Sequence, residues 1–148
     1  MITIQPLQAL RPRKDVVHLV AAKPYDVLNS EEAKEEAKDN PISFLRVSKP
    51  EINFDTPIEQ YDEKVYQKGK EVFDKLIEDG VLIKEDAPCL YIYAQTMQGR
   101  TQIGLVAGSS IDDYFEDKIK KHEYTLVAKE NDRIKHMITK MAQPGMVF

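Results

Sequence analysis

The sequence has no tryptophan, one cysteine and three histidines. The lone Cys89 excludes an internal disulfide. It lies in the apolar run Cys89-Leu90-Tyr91-Ile92-Tyr93, where a free thiol reads as a small core residue rather than a reactive one. Long apolar stretches are missing as well. Runs such as Leu19-Val20-Ala21-Ala22 fall far short of the ~20 residues that cross a bilayer. The beginning, Met1-Ile2-Thr3-Ile4-Gln5-Pro6, has no basic segment followed by an apolar one, which argues against a secretory signal. A basic excess is also lacking: 21 Lys and Arg stand against 25 Asp and Glu, for a formal charge of -4. That balance argues against a general nucleic-acid binder and against a protein held on an anionic membrane. A reducing cytoplasm fits all of these absences.

Chemical signatures are equally sparse. There is no Gly-x-x-x-x-Gly-Lys phosphate loop, no Gly-x-Gly-x-x-Gly turn and no Gly-x-Ser-x-Gly elbow. No cysteine pair and no His-x-x-x-His supplies a metal site, so no metal is expected, and the sequence names no cofactor.

What is present is a globular composition, 42% hydrophobic and 31% charged, in 148 residues. Residues 2–9 alternate like a short edge strand limited by Pro6. Asn29 with Glu32 forms a capping box that opens a helix over 31–38. The alternating residues 42–47 predict a strand. Thr56-Pro57 predicts the start of a long helix with Tyr61, Val65, Val72, Phe73, Leu76 and Ile77 on one stripe, stopped by Gly80. Residues 89–95 and 101–107 flank a turn at Gly99 and predict a β-hairpin. Tyr91, Tyr93 and Gln95 share one of its faces, with Leu90, Ile92 and Ala94 on the other. Ser109 and Asp112 open a helix with an acidic start and a basic end. A last helix over 129–142 carries Ile134, Met137, Ile138 and Met141 at helical spacing. The fold class is therefore α+β (α/β mixed): short strands and a hairpin packed with about four helices. Residues 1–148 form a single domain or the N-terminal portion of a larger one. The apolar ending Pro144-Gly145-Met146-Val147-Phe148 reads as the start of a strand in an incomplete domain.

The densest polar cluster falls at the junction of the last two helices. His122 beside Glu123 pairs a group that titrates near neutrality with a carboxylate, the makings of general acid–base chemistry. Lys129 and Arg133, four apart, share a helix face and can clamp a phosphate; His136 extends that face. The bland alternative is a solvated, lysine-rich helix end. A second candidate, Lys23-Pro24-Tyr25-Asp26, reads as a turn that presents Tyr25 and Asp26, or simply as a rigid turn near a helix start.

Several segments resemble one family. Leu10-Arg11-Pro12, Val20-Ala21-Ala22-Lys23-Pro24-Tyr25-Asp26-Val27 and Asn40-Pro41-Ile42-Ser43-Phe44-Leu45 are similar to the opening of the bacterial and archaeal family called domain of unknown function 1015. So are Tyr61-Asp62, Leu76-Ile77-Glu78-Asp79-Gly80-Val81-Leu82, Pro88-Cys89-Leu90-Tyr91-Ile92-Tyr93, and above all Ile119-Lys120-Lys121-His122-Glu123-Tyr124-Thr125 with Lys129-Glu130 and Asp132-Arg133. Lys23 departs from the pattern, where a second proline is expected.

The resemblance implies a longer protein, with a downstream Asp-Gly-His-His-Arg motif similar to that of ParB/sulfiredoxin-like proteins and free-serine kinases. It implies a phosphorylated small molecule or nucleotide as ligand, His122 and Glu123 as catalytic groups, and Lys129, Asp132, Arg133, Thr125, Tyr25 and Asp26 as ligand-binding ones. The missing C-terminal portion of the family architecture then counts as a partner. Two readings stay open: part of a kinase-like enzyme, or a non-catalytic binding or scaffold domain built on the hairpin and its tyrosines. Nucleic-acid binding through ParB-like ancestry is a third, disfavoured by the acidic balance.

Overall fold

Local sequence rules govern several elements of the computed structural model, which describes residues 1–121 and 125–144. The capping box forms as read: Asn29 Oδ1 accepts from the Glu32 amide at 2.9 Å, and Glu32 Oε2 accepts from the Asn29 amide at 2.8 Å. It opens helix α2 (Ser30–Glu36). Asp62 caps the longest helix, α4 (Glu63–Glu78), and Gly80, at φ +66°, ends it. The start at Asp62 corrects the expected start at Pro57. A free carboxylate one residue before Glu63 satisfies the Lys64 amide at 2.8 Å, which Thr56 does not do.

The chain forms two compact units. The first comprises Met1–Arg11 and Lys84–Tyr124. In it strand β1 (Ile4–Gln5) pairs antiparallel with β6 (Gly108–Ser109). Strand β4 (Tyr91–Met97) pairs with β5 (Arg100–Val106) in the expected hairpin. The turn is tighter than the five residues expected: Gln98 and Gly99 alone make it, both at positive φ. The short helix α5 (Ile111–Phe115) starts on the Ser110 hydroxyl and ends sooner than its basic tail suggested. Lys118 instead folds back onto Asp113 at 3.0 Å, and Asp113 also accepts from the Thr3 amide at 2.7 Å. Cys89 is half-buried and is not a core residue, its thiol lying 3.2 Å from the Ala87 carbonyl.

The second unit comprises Pro12–Ile83 and Thr125–Phe148. It holds α1 (Val17–Val20), α2, α3 (Leu45–Ser48), a 3-10 turn (Pro50–Asn53), α4 and α6 (Val127–Lys140). Strands β2 (Leu10–Pro12) and β3 (Leu82–Lys84) pair with each other. Its core collects Ala33, Ala37, Leu45, Val47, Ile52, Val65, Tyr66, Phe73 and Leu76. Burying each large apolar side chain contributes on the order of 1.5–3 kcal/mol.

The strand expected over 42–47 is a helical turn, α3. Alternation is real there, since Ser43, Leu45 and Val47 are all buried. A one-turn helix covered by both α4 and the 3-10 turn also buries i and i+2, so the pattern does not separate the two conformations. Arg46 settles the outcome: its guanidinium donates to the Ala37 and Asn40 carbonyls at 2.7 and 3.0 Å and closes the end of α2. Mixed α+β architecture stands, with six helices among the described residues rather than about four.

Candidate functional site

Helix α6 packs on α4, and it does so with its polar side. Asp132, His136 and Lys140, each one turn apart, are all buried, while Val127, Ile134, Met137, Ile138 and Met141 are exposed. An apolar stripe ordinarily faces a core. Here the two faces are exchanged.

The buried side chains form one connected set. Tyr66 of α4 donates to Asp132 Oδ1 at 2.9 Å. Lys140 Nζ lies 2.6 Å from His136 Nδ1, and His136 Nε2 lies 3.7 Å from Asp132 Oδ1; a charged ammonium only donates, which matches the tautomer with its hydrogen on Nε2. The Tyr66 and His136 rings meet edge to face at 4.8 Å. Burial lowers the His136 pKa, and the Lys140 and Arg133 cations lower it further, against Asp132. Burial, with help from Arg133, also brings Lys140 down to about 8. The Tyr66 hydroxyl is pushed up, first by burial and then by its bond to Asp132. Gly69 makes room for this arrangement: a Cβ there would come within 3.0 Å of Lys140 Nζ.

At the rim of the set is Arg133. Its Nε and Nη2 donate to Asp132 Oδ2 at 3.1 and 2.5 Å. Its guanidinium lies over the Tyr25 ring, 3.9 Å from the centroid. The side chain is half-buried, so part of the guanidinium still meets solvent.

Of the residues named from sequence, the structure brings together Tyr25, Asp132 and Arg133. Asp26 is exposed in the same turn as Tyr25. Lys129 is exposed one turn before Arg133 and makes no ion pair among the described residues. Thr125 turns to Glu130, at 3.3 Å. His122 and Glu123 lie outside the described residues, as does most of the ending at 145–148. His136, read as an extension of the anion-binding face, points inward to Lys140 instead. Sequence reasoning missed Tyr66 and Lys140; the four-residue spacing of Asp132, His136 and Lys140 was the available signal.

Tyr91 is also committed inward, its hydroxyl bonded to the Leu7 carbonyl and the Ala9 amide at 3.1 Å. The open face of the hairpin is the opposite one, with Ile92, Ile103 and Leu105 exposed. Elsewhere in the second unit a shallow groove lined by Asn53, Phe54, Glu63, Lys64, Gln67 and Glu71 holds none of the expected site residues. Among the described residues no group of three or more His, Cys, Asp or Glu is arranged for a metal, and no helix is long and apolar enough to cross a membrane.

Residues 4–148 match the family model described as a protein of unknown function (DUF1015). No curated protein and no solved structure matches the chain.

Proposed function

The chain belongs to this DUF1015 family, and from its own geometry we propose that it supplies an anion-holding surface for a phosphorylated small molecule or nucleotide. The observation that carries the reading is Arg133. A guanidinium stacked on Tyr25 and clamped by a buried carboxylate is fixed before any ligand arrives. Fixing it beforehand lowers the entropy cost of binding. With Nε and Nη2 turned to Asp132, Nη1 and the second hydrogen of Nη2 are left for phosphate oxygens. Two features add to it. Lys129 lies on the same helix face. The N-cap residue Leu126 supplies no side-chain acceptor to the first amides of α6, where the positive end of the helix dipole lies.

Asp132 thus acts as a positioning residue for Arg133, and His122 or Glu123 is the acid, base or orienter if a reaction follows. The kinase-like and serine-linked part of the reading is carried by the motif resemblance, and the cytoplasmic setting by the composition, not by these contacts. A non-catalytic binding role is favoured by a different observation, the exposed Ile92, Ile103 and Leu105 of the hairpin.

Calorimetry with ATP, pyrophosphate and O-phosphoserine separates the two. Arg133→Ala should weaken binding roughly 10- to 100-fold, the range for losing a charge-assisted pair of bonds. Lys129→Ala should weaken it several-fold. Unchanged affinity in both variants, with native circular dichroism, would sink the phosphate reading; so would wild-type protein that takes up none of the three compounds.

A further inference from the structure

The exchanged faces of α6 leave a strip of apolar side chains open. Val127 is 71% exposed, Ile134 44%, Ile138 66% and Met141 86%. Their spacing fits a heptad. Within α6, Val127 and Ile134 fall at d, and Asn131 and Ile138 at a; Met141 follows as the C-cap, its backbone left-handed. The buried Asp132, His136 and Lys140 then occupy b, f and c, the side that ordinarily faces water. Glu130 takes a g position and Lys135 the following e position, five residues on, one along each border of the strip. Both are exposed.

We propose that this strip is an interface with a second copy of the chain, in which two α6 helices pair in parallel about a twofold axis. Two observations select this occupant. A g residue and the e residue five positions later are the pair that meets across a parallel two-stranded seam, and here they carry opposite charges. Asn131 stands at an a position inside an otherwise apolar seam, where a polar side chain meets its own copy and specifies a parallel pair. The helix is already held by α4, so pairing does not have to order it.

The test is the association state of the full chain by sedimentation across a range of concentrations. A concentration-dependent dimer is expected. Ile138→Asp should make it monomeric with its helix content and melting temperature kept, because Ile138 is mostly exposed in the single chain. Glu130→Lys and Lys135→Glu should each weaken the dimer about tenfold, and the double swap should restore it. In a Cys89→Ser background, Asn131→Cys should oxidise to a disulfide-linked dimer, which an antiparallel pair would not give. A wild-type chain that stays monomeric, including one that uses the strip for another protein, overturns the proposal. A dimer indifferent to Ile138→Asp, or charge swaps that fail to restore each other, does so equally.

Discussion

Lys140 is buried where α6 packs on α4. A buried ammonium is costly unless it is paired. Here its nearest partner is a neutral imidazole at 2.6 Å, and the carboxylate in the set, Asp132, is shared with Tyr66 and Arg133. Stability should therefore depend on pH in two windows. Lys140 titrates at about 8 in the fold against an ordinary 10.5, so between those values the unfolded chain holds a proton that the folded chain has released. Stability rises with pH across that window and is flat below it. His136 titrates below its ordinary 6.5, so in acid the unfolded chain takes up a proton that the fold refuses, and stability falls as pH drops from 6.5. Urea midpoints measured from pH 4 to 10 should show both slopes. His136→Gln should flatten the acid one; an unchanged slope would remove His136 from the account. Gly69 is the companion residue. Ala is the better helix former by ~1 kcal/mol. Its Cβ, however, would stand 2.6 Å from the fully buried Pro50 ring and 3.0 Å from Lys140 Nζ. Gly69→Ala should lose about 1–3 kcal/mol, the usual cost of overpacking, and a urea midpoint equal to wild type would contradict that. The spacing of Asp132, His136 and Lys140 is legible in the sequence. Which side of α6 turns inward is not, because that is decided by Tyr66 and Gly69 on another helix.

At the level of elements, short-range chemistry was readable and long-range chemistry was not. The Asn29–Glu32 box, the Gly80 stop and the Gly99 turn each need only neighbouring residues, and each forms. Asn29→Ala should cost about 1 kcal/mol, since it strips the Glu32 amide of its acceptor and leaves α2 uncapped. Chemical unfolding that shows no loss would mean that packing of Ala33 and Ala37, and not the cap, holds α2. Segment 42–47 failed for the opposite reason. Its alternating pattern suits a strand, yet Arg46 reaches the end of α2 and Leu45 and Val47 are covered from two sides, which composition does not encode. The start of α4 moved from Pro57 to Asp62 because two capping residues compete within six positions, and only one aligns with the stripe that buries Val65, Tyr66, Phe73 and Leu76. The proposed anion-holding site was half legible: Lys129 and Arg133 follow from spacing, whereas the Tyr25 ring beneath Arg133 lies more than a hundred residues away in the chain.

Across the whole molecule, apolar burial is uneven. Every buried hydrophobic side chain among the described residues, from Val20 to Leu82, belongs to the second unit. Among the described residues the first unit buries Asp113, and it is joined by paired strands of two to seven residues and by the Tyr91 hydroxyl. A two-stranded ribbon is marginally stable by itself in water. Ile92 is 79% exposed and Ile103 71%, so burial of its apolar face adds little to the β4–β5 pair. Amides open with free energies that range from near zero up to that of global unfolding, and the low end belongs to segments with few buried contacts. Hydrogen exchange should therefore divide the chain. Amides in the middle of α4, around Val72 and Phe73, should exchange only through global unfolding, and their rates should follow denaturant in parallel with the unfolding equilibrium. Amides of Tyr93, Gln95 and Gln102, which lie in hydrogen-bonded pairs of the ladder, should exchange orders of magnitude faster and show little denaturant dependence, because local opening exposes little new surface. Filling the apolar face would reverse this: a bound partner that slows the hairpin amides without changing those of α4 would identify Ile92, Ile103 and Leu105 as its contact. Hairpin amides as slow as those of α4 in the protein alone would mean that the ribbon is held by more than the strand pairing accounts for.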